Sequence, residues 1–317
     1  MNQIAIAIAT YNGGERIIRQ LESIISQTML PDEIVICDDG STDNTVKLIE
    51  SFSEHHKEIS WNIISNERNL GYKRNFQKAI LATESNIIFL SDQDDYWKRD
   101  KIDKMYSAMF SHPEIMVLAS KYCKIDEDTF SKNEKAIGRI ENESIEPYSD
   151  DKLKQIGFSE FFYMTHFPGC SIAIKKECKN WFSSNFWDGN EPHDEYLLIM
   201  AQLYDSAFYI DEELMYYIRH DNAVTFNKMR NREERISHLS GKKQALQVAM
   251  NVIRNNPNIM EAFEKNRLVE RQYNFINKRI AFIKKPSICS ALNLISNISK
   301  YERISYLLGD IYLSLRK

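Results

Sequence analysis

Short apolar runs alternate with helix-like stripes along the first third of the chain. Residues 4–9 read IAIAIA, an apolar run with β-branched residues that is typical of a buried parallel strand. A turn cluster follows, after which Ile17, Leu21 and Ile24 recur at helical spacing. The same alternation then predicts strands at residues 33–37, 61–64 and 86–90, with helices around residues 46–49 and 72–81.

Strand–helix alternation of this kind predicts an α/β fold, an open and mostly parallel sheet with helices on both faces. Three polar clusters stand where predicted strands end: TYN at residues 10–12, DDGS at residues 38–41 and DQDD at residues 92–95. In parallel sheets the carboxyl ends of the strands meet at one crevice, where ligands bind. Turn and capping preferences explain any one cluster. They do not require three carboxylates in four positions, so we expect a ligand site at this edge.

The acidic cluster at residues 92–95 indicates a metal and diphosphate site. The chain contains no GxGxxG or GxxxxGKS loop that would bind phosphate through backbone amides. Packed carboxylates alone repel a phosphate. They become favourable when a divalent cation stands between them, as when Mg²⁺ is bound by one or two carboxylates and by substrate phosphates.

Four segments resemble family 2 glycosyltransferases with the GT-A fold. They are ATYNGGERI, PDEIVICDDGSTDNT, NLGYKRN and SDQDDYW, and their order and spacing agree with that family. The resemblance covers roughly residues 3–222 and is specific because four motifs agree, whereas a lone DxD would be weak. It implies a nucleotide-sugar donor, Mn²⁺ or Mg²⁺ as cofactor, and inversion at the anomeric carbon.

The resemblance also implies roles for individual residues. Asp92 and Asp94 match the metal-binding DxD motif, and His220 is implied as a third metal ligand or a diphosphate contact. A lone histidine is more often a structural hydrogen-bonding residue, and that alternative stays open for His220. The implied donor-binding residues are Thr10, Tyr11, Asn12, Asp38, Asp39, Asn69, Arg74, Asp92 and Arg219.

The second half of the chain supplies a candidate base. Residues 167–176 are expected to form a turn into a strand, and residues 193–204 an amphipathic helix. The family places its general base on a carboxylate at the start of such a helix, which makes Asp194 the predicted base and Glu195 the reserve. The alternative is that Asp194 only favours the positive helix N-terminus.

A second motif at residues 217–220 departs from the family pattern. It resembles the family's closing Tyr-Arg-x-His element, with Tyr217 and His220 in place. Ile218 stands where the arginine belongs, and Arg219 comes one residue late.

The resemblance leaves the donor sugar and the acceptor open. SDQDDYW is similar to the motif of bacterial rhamnosyltransferases that build surface polysaccharide from dTDP-L-rhamnose, and UDP-glucose, UDP-galactose or an N-acetylhexosamine donor are the alternatives. We expect a glycan or lipid-linked acceptor and, without a QxxRW signature, one sugar per encounter. The competing functions are a nucleotidyltransferase and a non-catalytic nucleotide-sugar-binding module. Residues 126–151 are polar and weakly periodic, which predicts a loop, either mobile over the acceptor side or a plain surface loop.

Charge divides the chain unevenly. Residues 228–317 carry 18 Lys and Arg against seven Asp and Glu, a balance of +11, whereas residues 1–227 carry −15. We predict a catalytic GT-A domain over residues 1–225 and a basic helical region over residues 226–317. Apolar stripes in that region predict helices that pack on the main domain or on a second copy of the chain, or that lie on anionic membrane: Leu246, Ala249, Met250 and Ile253, then Leu294, Ile298, Tyr301, Ile304, Leu308 and Ile311.

The remaining composition bears on location. No stretch is long and apolar enough for a transmembrane helix, the start lacks a signal-like segment, and the five cysteines are scattered without a CxxC pair. We therefore expect a cytoplasmic protein, either free or bound peripherally to the inner face of the cell membrane. No nucleic-acid partner is expected.

Overall fold

Nine strands form one sheet, and its first half is parallel. The computed structural model describes residues 3–143, 145–159, 167–183, 189, 192–220, 231–256 and 258–315. In chain order the strands are β1 (Ile4–Thr10), β2 (Glu33–Asp38), β3 (Ser60–Ser65), β4 (Ile87–Ser91), β5 (Tyr96–Trp97), β6 (Val117–Asp126), β7 (Leu153–Gln155), β8 (Ile172–Lys175) and β9 (Ala207–Arg219).

The strand order is β3-β2-β1-β4-β8-β6-β9-β5, with β7 beside β9. Strands β1 to β4 are parallel neighbours, β8 runs antiparallel between β4 and β6, and β9 is parallel to β6. The predicted open α/β sheet is confirmed, with antiparallel strands confined to its second half. Because β1, β2 and β4 are parallel, the three polar clusters that follow them emerge at the same edge.

Helices cover both faces of this sheet. They are α1 (Glu15–Ile25), α2 (Thr45–His55), α3 (Tyr72–Ala82), α4 (Lys101–Ser111), α5 (Glu127–Glu143), α6 (Lys179–Ser183), α7 (His193–Leu203), α8 (Arg232–Asn255), α9 (Ala262–Lys284), α10 (Ile288–Ser296) and α11 (Ile304–Leu315). The helices predicted near residues 72–81 and 193–204 are confirmed by α3 and α7.

The alternation in β1 assigns its side chains to two cores. Ile4, Ile6 and Ile8 pack on the face covered by α1 and α4. Ala5 and Ala7 point to the opposite face, where α3 and α7 pack. Successive side chains of a strand point to opposite faces, so small residues on one side let α3 approach the sheet closely.

The loop predicted for residues 126–151 is wrong over residues 127–143, which form α5. Among its described side chains, only Phe130 and Ile137 are deeply buried, seven residues apart on one side of the helix. Such a narrow apolar stripe leaves the rest of the helix polar, which explains the weak periodicity. The first turn is joined to α1 by a two-pronged ion pair between Glu127 and Arg16.

The C-terminal region is helical, as predicted. Helix α8 packs on α7 and α9, and Leu246 and Ala249 lie in the same buried cluster as Leu197 of α7. This region therefore shares a core with the sheet. The predicted division at residues 225 and 226 lies outside the described residues.

The last two helices are buried only in part. In the second predicted stripe Leu294 and Tyr301 are buried, whereas Ile298, Ile304 and Leu308 are exposed. None of the helices that the structure describes is both long enough and apolar enough to cross a membrane.

Candidate active site

A cavity of about 740 Å³ opens at the carboxyl ends of β1, β2 and β4, between the start of α7 and the end of β9. Its volume lies within the range of pockets that bind small molecules and cofactors. Most of the residues predicted to act in the site line it: Thr10, Tyr11, Asn12, Asp39, Asn69, Asp92, Asp94, Asp194 and His220. Asp38, Arg74 and Arg219 are not among its described lining residues.

The loop after β1 is joined to the acidic loop after β4 by Gln93. The amide of Tyr11 donates to Gln93 Oε1 at 2.9 Å, and Gln93 Nε2 donates back to the Tyr11 carbonyl at 3.1 Å. Gly13 makes room for this bridge, because a Cβ there would lie 2.6 Å from Gln93 Oε1. The two strand-end clusters are therefore held at a fixed spacing.

Asn12 connects the loop after β1 to the loop after β2. Its backbone has φ +48°, in the left-handed region that Asn tolerates better than most residues. The Asn12 amide donates to Ser41 Oγ at 2.8 Å, and its side-chain oxygen accepts from the Thr42 amide at 2.8 Å.

The acidic pair after β2 divides its roles. Asp38 is buried and accepts hydrogen bonds from the Thr10 hydroxyl and from the amide and hydroxyl of Ser41, which shapes the loops. Asp39 lines the cavity and accepts from the amides of Leu70 and Gly71 at 2.7 and 2.9 Å. Asp39 thus holds the turn into α3 against the cavity.

Three carboxylates crowd together at the end of β4. Burial, and then the neighbouring Asp95 and Asp94 carboxylates, raise the pKa of Asp92 well above its ordinary value. Burial and the Asp94 carboxylate raise the pKa of Asp95 to about 7. Asp95 accepts a hydrogen bond from the amide of Ile218 in β9 at 3.2 Å. Burial and mutual repulsion therefore destabilise the ionised carboxylates, and a bound cation would offset that cost.

His220 meets this cluster from the other side of the cavity. Its Nε2 lies 2.7 Å from Asp94 Oδ2, and its side chain is 7% exposed. The backbone of Asp94 is fixed by Arg19 of α1, whose Nη2 donates to the Asp94 carbonyl at 3.0 Å. Residues 126 positions apart in the chain thus direct a carboxylate and an imidazole toward one point.

Helix α7 carries two carboxylates at its start with different partners. Asp194 lines the cavity, and its Oδ1 accepts from the Glu195 amide at 2.9 Å. The Glu195 carboxylate forms an ion pair with Lys242 of α8. Burial raises the pKa of Glu195, and the Lys242 ammonium opposes that rise. Glu195, the second candidate base, is therefore paired with a lysine of a C-terminal helix.

The cavity is also lined by His193, Tyr72 and Arg16, to which the sequence motifs assign no role. His193 is buried, stacks on Phe76 with ring centroids 4.0 Å apart, and has no hydrogen-bond partner for either ring nitrogen within the described structure. Tyr72 lies near Asp194, and burial, followed by the Asp194 charge, raises its pKa to about 12. Arg16 lines the cavity while paired with Glu127. The HD dipeptide that opens α7 was the one available signal for His193.

The described contacts of Arg74 and Arg219 are with residues that do not line the cavity. Arg74 Nη1 donates to Gln77 at 3.3 Å, and its guanidinium lies against Gly189, where a Cβ would clash with it. Arg219 Nη2 donates to Asp126 at 2.8 Å. Their predicted donor contacts stay predictions.

The side chains that could act as metal ligands suit a hard divalent cation. Asp92 and Asp94 offer carboxylate oxygens, which Mg²⁺ and Mn²⁺ prefer, and His220 adds an imidazole nitrogen. The short contact between His220 and Asp94 shows that two of these groups already converge. A second group of possible metal ligands consists of Asp92, Asp95 and Cys170. One ligand atom from each of these residues lies within 4.8 Å of the other two.

An open, mostly parallel α/β sheet carries acidic loops over this cavity, the edge at which ligands bind in such sheets. Residues 5–178 match the family model described as Glycosyl transferase family 2. The chain therefore belongs to glycosyltransferase family 2.

Individual relatives agree with this assignment. The chain is 29% identical over 225 residues to the dTDP-rhamnosyl transferase RfbG of Shigella flexneri, covering 68% of this chain and 72% of RfbG. It is 31% identical over 134 residues to the UDP-Glc:alpha-D-GlcNAc-diphosphoundecaprenol beta-1,3-glucosyltransferase WfaP of Escherichia coli, covering 40% of this chain and 49% of WfaP.

Solved structures share the fold at low sequence identity. S. aureus TarS 1-349 in complex with UDP-GlcNAc is similar with a TM-score of 0.62 and 16% identity, over 90% of this chain and 76% of that one. Mannosyltransferase PcManGT from Pyrobaculum calidifontis, in complex with GDP-Man and Mn²⁺, is similar with a TM-score of 0.57 and 16% identity, over 98% and 85%. These likenesses confirm the GT-A fold.

Proposed function

We propose that this protein is an inverting glycosyltransferase that transfers one sugar from dTDP-L-rhamnose or a UDP-hexose to a glycan or lipid-linked acceptor in cell-surface polysaccharide synthesis. One observation carries the proposal. A single cavity joins the carboxylates at the end of β4 to Asp194 at the start of α7. Asp94 with Asp92 belongs on the diphosphate side, and Asp194 on the acceptor side.

The donor assignment rests on the loops and on the relatives. Tyr11, Asn12, Asp39 and Asn69 line the part of the cavity formed by the loops after β1 and β2 and the turn into α3, which would take the nucleoside. RfbG is named a dTDP-rhamnosyl transferase and WfaP a UDP-Glc transferase, so both nucleotides are retained as candidates.

Asp92, Asp94 and His220 would hold Mn²⁺ or Mg²⁺ against the donor diphosphate. Such a cation, when bound, neutralises charge that develops on the departing diphosphate. The protein's part is to keep the two loops at a fixed spacing, which the Tyr11–Gln93 bridge does, and to fix the Asp94 backbone through Arg19. PcManGT, with the same fold, is in complex with GDP-Man and Mn²⁺.

Asp194 would accept the proton from the acceptor hydroxyl. The hydroxyl oxygen forms the new bond to the anomeric carbon as the bond to the diphosphate oxygen breaks, and attack comes from the face opposite the leaving group. Glu195 is less suited to this role, because its carboxylate is paired with Lys242. A single displacement inverts the anomeric configuration and requires no covalent enzyme intermediate.

The acceptor assignment rests on one relative. WfaP acts, by its name, on a sugar linked through diphosphate to undecaprenol, a lipid. We extend that class of acceptor to this chain, with a free glycan as the alternative.

A panel of nucleotide sugars tests the proposal. The protein is incubated with dTDP-L-rhamnose, UDP-glucose, UDP-galactose and UDP-N-acetylhexosamines, with and without Mn²⁺, and the released products are identified. We expect release of nucleoside diphosphate that depends on the cation. In a parallel incubation with a nucleoside triphosphate and a sugar phosphate, release of pyrophosphate would instead identify a nucleotidyltransferase. Donor binding without either product would identify a non-catalytic module.

A further inference from the structure

Helices α10 and α11 each expose an apolar stripe. Ile288, Leu292 and Ile295 recur at helical spacing on α10, and Ile288 is 83% exposed. On α11 successive exposed apolar positions are again three or four residues apart, so they share one side of the helix. We call these residues the α10–α11 face: Ile288, Leu292, Ile295, Ile304, Leu308, Tyr312 and Leu315.

The opposite sides of the same helices pack against the rest of the protein. Leu294 of α10 and Leu307 and Leu313 of α11 are buried. The Asp310 carboxylate accepts hydrogen bonds from Arg235 of α8 and Arg279 of α9, each at 2.7 Å. The exposed stripes are therefore presented by helices whose other sides are anchored.

Exposed cations flank helices α10 and α11 along the chain. Lys284 and Lys285 are exposed at the end of α9, four and three residues before the first residue of α10, and Arg303 is exposed immediately before α11. Two acidic residues occur in residues 284–315: Asp310 is fully buried, and the Glu302 side chain is 14% exposed beside Arg303. The exposed charge in this part of the chain is thus mainly cationic.

We propose that the α10–α11 face docks on an anionic lipid bilayer surface. A helix that lies in the interface buries its apolar side among the acyl chains and places cations near lipid headgroups. Lys and Arg side chains close to a membrane surface are attracted to anionic lipids. Apolar stripes bordered by cations match both properties.

Charge favours a bilayer over a second copy of the chain. In a symmetric dimer the same patch meets itself, which would bring Lys284, Lys285 and Arg303 of two copies into one contact. Like charges that meet at an interface oppose association. An anionic bilayer supplies the opposite charge together with the apolar interior.

Docking would bring the protein to the membrane in which a lipid-linked acceptor resides. In this respect alone the inference rests on the proposed function, since vesicle binding needs neither donor nor acceptor. A failure of sugar transfer would leave the docking result interpretable, and the converse also holds.

Co-sedimentation of the full chain with vesicles tests the proposal. Vesicles of phosphatidylcholine alone are compared with vesicles that also contain phosphatidylglycerol, at low and high salt. The test variant is Leu292→Ser with Leu308→Ser, both at exposed positions. The matched control is Phe110→Ser, which removes a 74% exposed apolar side chain from α4. Unfolding curves verify that the variants remain folded.

We expect the parent and the Phe110→Ser control to bind phosphatidylglycerol vesicles, with weaker binding as salt rises because surface charges are screened over about 10 Å at 0.1 M. The double variant should bind at least about tenfold more weakly, since burial of apolar surface drives insertion. Absence of binding at low salt, or equal binding by the double variant, would overturn the proposal. The proposal would also be overturned if the parent protein sedimented as a dimer in solution and the double variant as a monomer, because a second copy would then cover the face.

Discussion

The Asp194 carboxylate lies at the start of α7 and lines the cavity, with one oxygen bound to the adjacent amide. Asp194→Asn keeps the size and the hydrogen bond but cannot take a proton. General base catalysis is typically worth roughly 10²–10⁴-fold, so kcat should fall by about that factor. Donor affinity, measured by calorimetry, should stay the same.

Glu195→Gln is the matched control for this substitution. Because the Glu195 carboxylate is paired with Lys242, we expect a much smaller loss of kcat. If Glu195→Gln lost more activity than Asp194→Asn, the base would have to be reassigned to Glu195. Loss of donor binding in Asp194→Asn would place that residue in the nucleotide site.

Substitutions at Gly13 and Gln93 test whether the bridge between Gln93 and Tyr11 supports donor binding. A Cβ at residue 13 would displace Gln93 Oε1 and break the bridge to Tyr11, so Gly13→Ala should raise the donor KM by about threefold to tenfold, the effect of one or two hydrogen bonds. Gln93→Ala removes the same bridge directly. In the double variant we expect no further rise beyond the larger single effect. Additive effects would show that Gly13 acts by another route.

At the scale of elements, the pair between Lys242 and Glu195 ties α8 to the catalytic helix. Lys242→Met leaves a largely buried carboxylate without its cation and should lower the free energy of unfolding by roughly 1–3 kcal/mol, below the value for a fully buried pair. The variant that combines it with Glu195→Gln should recover part of this loss. Urea denaturation measures both, and equal losses would contradict the pairing.

The pH dependence of the Lys242→Met deficit has a defined sign. Burial raises the pKa of Glu195 above its ordinary value of 4.5, and removal of Lys242 allows a further rise. A carboxyl with a raised folded pKa favours folding when protonated, and that stabilisation is lost as pH rises through the folded pKa. The deficit should therefore be largest near neutral pH and shrink as pH falls toward 4.5.

Asp310 joins three helices of the C-terminal region. It is fully buried and accepts hydrogen bonds from Arg235, Arg279 and Tyr301. Asp310→Asn would leave two buried guanidinium groups without their anion, and such losses cost about 3–5 kcal/mol. Glu264→Gln, which breaks an exposed pair with Arg267, should cost less than about 1 kcal/mol. Similar losses in both variants would show that the buried network carries little stability.

Sequence patterns predicted the elements whose periodicity is local. The strands IAIAIA and EIVIC and the acidic loop after residue 91 follow from alternation and from the geometry of parallel sheets. Helix α5 was missed because it buries one narrow stripe, and its anchor to Arg16 joins residues 111 positions apart. The Lys242–Glu195 pair spans 47 positions, a distance over which periodicity carries no signal.

At the scale of the whole molecule, an acidic body of −15 carries a basic helical region of +11. Part of that positive charge is neutralised within the protein, since Arg235, Arg279 and Lys242 form ion pairs with buried or half-buried carboxylates. Charge counts alone could not separate these internal pairs from the exposed cations beside the α10–α11 face. The distinction required the packing of α8, α9 and α11.

We infer that Asp94 and its neighbours act through a divalent cation in sugar transfer. The direct measurement is nucleoside diphosphate release by the parent and by Asp94→Ala, with Mn²⁺, with EDTA, and with Mn²⁺ restored after EDTA. We predict that EDTA abolishes turnover by the parent, that Mn²⁺ restores it, and that Asp94→Ala stays inactive throughout with an unchanged unfolding curve. Undiminished turnover in EDTA would show that no cation takes part, and near-normal turnover by folded Asp94→Ala would show that Asp94 is not required.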